Sequence, residues 1–275
     1  SFMSGVGPSI ASDEIGAEIV ASFPVPGSSQ TGLAWDGTSL WMVDNLNNLY
    51  QLNASGTVVK SCALGFSISD LAWDGLNLWA LKSQSSSQPS VGALVALDTG
   101  ANCGKVIGTL PVTFPVFEAP NGLAWDGFYF WVIDDHSFVH KYDSSGKEIL
   151  KFGVKLSWSS PGGLAYDGTD LLIAQSNYQE IYKYSKTGIE QGFVDVFKLF
   201  GYGNIYEHNV FDWDGTYLWY STASKFEIYK LRLLPPSFAL TVTRNGIGTV
   251  TSNQAGINCG TDCSESYPSS TPVTL

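Results

Sequence analysis

Gly32-Leu33-Ala34-Trp35-Asp36-Gly37 decides the fold, because the chain repeats it. Close copies stand at 70–75 (DLAWDG), 122–127 (GLAWDG), 163–168 (GLAYDG) and 210–215 (VFDWDG). The shared aspartate falls at Asp36, Asp74, Asp126, Asp167 and Asp214, with spacings of 38, 52, 41 and 47 residues. A period of this size marks stacked or radially repeated units, each too small to bury its apolar face alone. Each copy continues with an apolar–aromatic pair, Leu40-Trp41, Leu78-Trp79, Phe130-Trp131 or Leu218-Trp219; the fourth departs, with Leu171-Leu172. Strand alternation puts Leu33 and Trp35 on one face and Ala34 on the other. The small Ala suits an innermost strand, and the Trp suits packing between neighbouring units. Asp-Gly is a favoured hairpin turn because glycine accepts positive φ. Each copy is therefore strand, turn, strand.

A third strand follows (NNLYQLNASG from 47, SFVHKYDSSG from 137, QEIYKYSKTG from 179, FEIYKLRL from 226), and a fourth such as TVVKSCAL or KEILKFGV closes most copies. Four strands in about 40–50 residues are the dimensions of one propeller blade. The fifth copy supplies three strands, Val210 to Leu233, before Pro235-Pro236. The segment Ala17 to Val25 (AEIVASFPV) reads as a lone strand ahead of the first copy. Pairing it with the fifth copy closes the ring and removes an exposed edge. The expected fold is all-β: a five-bladed β-propeller of four-stranded blades over 16–234, the N-terminal strand completing the last blade. The long second spacing is absorbed by a loop insertion over 83–92.

Composition limits the partners. The chain has 275 residues, 44% of them apolar and 13% aromatic, and a formal net charge of −11. Only 14% are charged, against roughly 25% in an average soluble domain. Phosphate backbones and anionic membranes are bound by clustered Lys and Arg, and the fourteen basic residues here are scattered. Nucleic acid is thus excluded as a partner. No apolar run approaches the ~20 residues that span a bilayer. The four cysteines are even in number. Cys259 and Cys263 lie in one short Gly-rich loop and read as a disulfide, and Cys62 and Cys103, near the outer edges of successive copies, are candidates for a second. This usage points to an oxidising compartment.

Over Gly16 to Leu233 the GLAWDG…LW units resemble those of NHL-like and related bacterial β-propellers. Residues 237–275 form a separate, partial β module. Their LTVTRNGIGTVTS, AGINCGTDCSESY and PVTL resemble the Gly-rich β repeats found in tandem in secreted bacterial proteins, whose unit normally continues past this point. That resemblance implies a bacterial exported protein, at the cell surface, outside the cell or in the periplasm, with the C-terminal module truncated.

Propeller ligands usually meet the mouth of the central channel. The loops entering the first strands and those joining second to third strands supply Asp44, Asn45, Asn121, Asp134, Asp135, His136, Asn177, His208 and Asn209. Asp44, Asp134, Asp135, Asn121 and Asn209 suit a hard cation such as Ca²⁺, which prefers oxygen ligands. His140 lies within a strand and is expected to face solvent or a neighbouring blade. No serine sits in a G-x-S-x-G turn.

The residues favour a monomeric, non-catalytic binding or interaction scaffold for a protein, peptide or glycan. The alternative is a propeller enzyme, either a metal-assisted lyase or hydrolase or a relative of the five-bladed glutaminyl cyclases, whose first-strand motif TGLAWDG resembles. Ala34 and Trp35 stand where that resemblance would ask for an acidic residue.

Overall fold

A computed structural model describes residues 14–82, 91–113, 119–156, 161–175, 180–200, 209–222, 226–243, 248–254, 256–259, 263–268 and 271–275. The described chain is nearly all strand. After β1 (Glu14–Pro24) comes a first antiparallel quartet, β2 (Gln30–Trp35), β3 (Leu40–Asp44), β4 (Asn48–Leu52) and β5 (Val58–Ala63). The next comprises β6 (Ile68–Trp73), β7 (Leu78–Lys82), β8 (Val91–Leu97) and β9 (Val106–Thr113). Val91 and Gly92 therefore belong to a strand, not to the insertion; they pair with Thr113 and Val112. Residues 83–90 lie outside the described residues.

A third quartet is β10 (Pro120–Trp125), β11 (Phe130–Asp134), β12 (Phe138–Tyr142) and β13 (Glu148–Gly153). The fourth is β14 (Pro161–Tyr166), β15 (Leu171–Gln175), β16 (Glu180–Tyr184) and β17 (Glu190–Asp195), followed by one short helical turn, α1 (Phe197–Phe200). Three strands remain in the repeat region, β18 (Asn209–Trp213), β19 (Leu218–Thr222) and β20 (Glu227–Leu234). Their outer edge is taken by β1, which runs antiparallel to β20 from Gly16↔Leu234 to Pro24↔Glu227. The start of β1 also pairs in parallel with β17, Glu14↔Phe193 and Ile15↔Val194. One strand thus joins the last two quartets into a continuous eight-stranded sheet.

Apolar side chains collect between quartets. Ala34, Trp41 and Val43 meet Ile68, Leu71 and Leu78. Ala72 and Leu81 meet Leu123 and Phe130; Ala124 and Trp131 meet Leu164 and Leu171; Ala165 and Leu172 meet Phe211 and Leu218. The circle returns where Val210 and Trp219 pack on Leu33, Leu40 and Met42, with Phe23 of β1 among them. Trp35 stacks on Trp219 at 5.5 Å across this last junction. Alternation along the first strand explains the arrangement: Leu33 serves one neighbouring quartet and Ala34 the other. The first strands β2, β6, β10, β14 and β18 touch one another in succession, β18 against β2 again. They meet closely: a Cβ on Gly32 would lie 2.8 Å from Asp70 Cα, and one on Gly122 would lie 2.7 Å from Leu164 N. Only glycine permits that backbone approach.

Beyond Pro235-Pro236, β21 (Ser237–Thr241) pairs with β24 (Ser264–Pro268), and β22 (Val250–Thr251) with β23 (Asn258–Cys259). Ile257, Cys259 and Tyr267 form a small core there. Disulfides join Cys259 to Cys263 and Cys62 to Cys103. The second ties β5 to the turn between β8 and β9, stapling two successive quartets. Disulfides suit an oxidising compartment. Among the described residues no helix is long and apolar enough to cross a membrane.

Candidate functional site

The repeated aspartates work within their own turns. Asp36 Oδ1 accepts the N–H groups of Thr38 and Ser39 at 2.8 and 2.7 Å, and its Oδ2 accepts the Trp41 indole N–H at 2.7 Å. Asp74 does the same with Leu76, Asn77 and Trp79, and Asp214 with Thr216, Tyr217 and Trp219. The W-D-G-x-x-L-W pattern is therefore one hydrogen-bonded device, in which the indole five residues on locks the carboxylate that closes the turn. Where Leu172 replaces the Trp, Lys183 Nζ comes to 2.7 Å from Asp167 Oδ2 and fills the gap.

Asp44 and Asp134, at the ends of β3 and β11, also turn inward. Asp44 Oδ1 accepts the N–H of Leu46 and of Asn48 at 3.0 and 2.8 Å. Asp134 Oδ1 accepts the N–H of His136 and of Phe138, both at 2.9 Å. These bonds hold the turn residues Asn47 and Ser137 at φ 64° and 65°. The other Asp134 oxygen meets His140 Nε2 at 2.9 Å, and His140 Nδ1 meets Glu148 Oε2 at 2.9 Å. His140 is fully buried, which corrects the expectation that it faces solvent: a carboxylate on each side satisfies its ring nitrogens inside the sheet. Burial works to raise the Asp134 pKa, but the hydrogen bonds from His140 and from the Phe138 and His136 N–H groups outweigh it and hold the group below the usual carboxylate range. Asp135 and His136 pair at 2.7 Å, and Asp135 Oδ1 also accepts the Ala119 N–H at 3.0 Å. Ligand atoms of Asp134, Asp135 and His136 lie within 4.8 Å of one another. With three N–H donors already on Asp134, this cluster offers a hard cation little beyond Asp135 and His136.

The cavity lies elsewhere, where the first strands converge. Thr31 of β2, Ile68 and Ser69 of β6, Ala119, Pro120 and Asn121 entering β10, Gly162 and Gly163 of β14, and Asn209 and Val210 of β18 enclose about 270 Å³. Among the described residues no charged side chain lines it. Asn209 is fully buried; its Oδ1 accepts the Tyr220 hydroxyl at 3.0 Å, while its Nδ2 has no hydrogen-bond partner. The buried Thr31 hydroxyl has none either. Asn121 donates its Nδ2 to Pro161 O at 3.1 Å. Buried polar groups are normally satisfied, and these two, on residues that line the cavity, are not.

Next to the mouth along the strands are two carboxyl groups that the first strands share. Asp70 Oδ1 accepts the Leu71 N–H at 2.9 Å and its Oδ2 the Leu123 N–H of β10 at 2.8 Å. Asp212 Oδ2 accepts the Trp35 N–H of β2 at 2.7 Å. The inner edge of each first strand has no further strand to bond, and these carboxyls supply acceptors. Burial pushes the Asp70 pKa well above the usual carboxylate range, against the downward pull of the Leu123 and Leu71 N–H groups and with Asp212 adding to the rise. Burial likewise pushes Asp212 up to about 7, despite the Trp35 and Trp213 N–H groups.

Of the residues singled out from sequence, Asn121 and Asn209 come together at the cavity. Asp44, Asn45, Asp134, Asp135 and His136 do not line it. Asn177 and His208 lie outside the described residues. Thr31 and Asp70 enter first strands at the rim but were not singled out as site residues, and Asp212 was not named. Their signal was present for the two acids: Asp70 stands where three other copies carry Gly32, Gly122 and Gly163, and Asp212 where the four other copies carry Ala34, Ala72, Ala124 and Ala165.

No protein-family model matches the chain, and no curated protein matches it. Solved structures do. A glutaminyl cyclase from Myxococcus xanthus aligns with a TM-score of 0.63 at 15% identity, covering 81% of this chain and 98% of that one. A protein of unknown function from Bacteroides thetaiotaomicron aligns with a TM-score of 0.52 at 10% identity, over 81% of this chain and 73% of that one. Virginiamycin B lyase from Staphylococcus aureus aligns at 0.46 and 16% identity, over 77% and 69%. At such identities likeness speaks for the fold alone, and with the inner strands touching in a closed succession the fold is a β-propeller.

Proposed function

We propose that this chain is a non-catalytic binding module of an exported bacterial protein: a five-bladed propeller over 16–234, carrying a partial β module over 237–275, that receives its ligand at the mouth of the central channel. The blade count is supported by the quartet topology and by the inner strands touching in a closed succession. The observation that carries the binding reading is the cavity enclosed by the first strands, with the buried Asn209 Nδ2 left without a partner beside it. Polar groups converging on a concave, preformed site are the usual mark of a small-ligand pocket. The chain is a monomer in this reading, its partner a glycan or peptide. The test is a glycan and peptide array probed with the native protein and with Ala119→Trp, which fills the cavity from an exposed rim position. Binding by the native chain that Ala119→Trp abolishes supports the reading; binding that survives the substitution overturns it.

A second reading, a propeller enzyme of the glutaminyl-cyclase kind, draws on the raised carboxyls: Asp70, protonated well above the usual range, follows Ser69 of the cavity wall. A neutral carboxyl is a competent general acid. Cyclisation of a glutaminyl peptide, lost in Asp70→Asn, would establish it; no product after incubation with native protein removes it.

A further inference from the structure

Resting on the mouth as the binding site, the lining chemistry narrows the ligand. We infer that the mouth takes an uncharged acetamido group, of the kind carried by an N-acetylated amino sugar. Among the described residues no Asp, Glu, Lys or Arg lines the cavity, so the described wall offers a charged ligand no counter-charge. An anion would also approach a chain of net charge −11. The two unpartnered groups, Asn209 Nδ2 and the Thr31 hydroxyl, belong to β18 and β2, adjacent first strands, and both can donate. The Tyr220 hydroxyl occupies Asn209 Oδ1 and so commits the amide nitrogen as the free end. Across the ring, Asn121 spends its Nδ2 on Pro161 O, which leaves its carbonyl as the acceptor that β10 contributes.

A ligand matching this wall carries a carbonyl oxygen on one side and an N–H on the other. Ile68, Pro120 and Val210 complete the lining with apolar surface, where a methyl group fits. Carbonyl, N–H and methyl together are an acetamide. The volume, about 270 Å³, holds one such group and its attachment point. A site built to hydrogen-bond a group discriminates sharply against the analogue that lacks it, because its own polar atoms are then left unpaired.

The experiment titrates N-acetylglucosamine, N-acetylglycinamide, glucose and glucosamine into the full chain, read by amide chemical shifts. The two acetamides bind, each on the order of millimolar for so small a ligand, and glucose and glucosamine do not. The tighter acetamide identifies the source, sugar or acylated amine. Asn209→Ala weakens acetamide binding by roughly tenfold or more, the usual loss when one partner of a buried hydrogen bond is removed. Thr31→Val, a milder change, decides the point if Asn209→Ala does not fold. Glucose binding as tightly as N-acetylglucosamine overturns the inference, as does acetamide binding untouched in both variants. Failure of this inference is separable from failure of the mouth reading. If array ligands without acetamide are lost in Ala119→Trp, the mouth stands and the acetamide assignment falls. If Ala119→Trp changes no binding at all, the mouth itself is wrong.

Discussion

Raising the pH from 4 to 8 should destabilise this propeller, and Asp212→Ala should reverse its own rank against the native chain across that interval. Asp212 has a folded pKa of about 7 against an ordinary 3.8. Between those values the folded state holds a proton that the unfolded state has released. The stabilisation is therefore fully present below the unfolded pKa and is lost as pH rises through the folded one. At ~1.4 kcal/mol per unit, the loss reaches about 4 kcal/mol by pH 8. Asp70 is raised as well and acts in the same sense. Alanine is the residue that the other copies carry at this position, Ala34, Ala72, Ala124 and Ala165, so the backbone tolerates it. Its cost is the acceptor for the Trp35 N–H, about 1 kcal/mol. The variant is then less stable than the native chain by about 1 kcal/mol at pH 4 and more stable by roughly 3 kcal/mol at pH 8. The carboxylates held low, Asp74, Asp126 and Asp134, contribute the opposite slope, but only as pH falls below about 4. Urea midpoints of both proteins at pH 4.5, 6, 7 and 8 measure the crossing. Parallel curves, with the variant weaker throughout, would refute the burial argument.

Two further outcomes follow from the same contacts. Cys62→Ala/Cys103→Ala opens a bridge of sequence separation 41 and should cost about 4 kcal/mol, whereas Cys259→Ala/Cys263→Ala, separation 4, should cost about 2 kcal/mol at most; urea melts rank them. Lys183→Met leaves the largely buried Asp167 oxygen without its partner in the one copy that has no Trp, so it should lower stability by about 1–3 kcal/mol, while Lys198→Met, on an exposed pair with Glu14, should leave the melting midpoint unchanged.

The architecture was legible because it is repeated. A Trp–Asp–Gly turn recurring along the chain fixes strand pairs whatever the loops do, and the lone apolar segment before the first copy has only one strand edge left to cover. Of the candidate rim, Asn121 and Asn209 line the cavity because both enter first strands. Asp44 and Asp134 were credited with ligand roles because sequence shows a carboxylate at a strand end but not the N–H groups that consume it. For His140 the sequence left solvent and a neighbouring blade both open, since nothing in SFVHKYD reveals that Asp134 and Glu148 flank the ring. Asp70 and Asp212 stand in close copies of the motif, and the sequence does not show what their carboxyls bond. Their meaning appears only when the first strands are brought together, where an extra carboxyl meets the unpaired N–H groups of a neighbour.

Everything rests on β1 closing the ring within its own chain. Glu18 and Arg232 are direct partners in the β1–β20 register and form an exposed ion pair, so Glu18→Cys/Arg232→Cys places two thiols at cross-strand distance, within disulfide reach. Oxidised at nanomolar concentration and analysed by mass spectrometry of unreduced peptides, the variant should yield a monomer carrying the 18–232 link beside the 62–103 and 259–263 bridges. Linked dimers alone, or thiols that stay free, would contradict the closed ring and the channel mouth built on it.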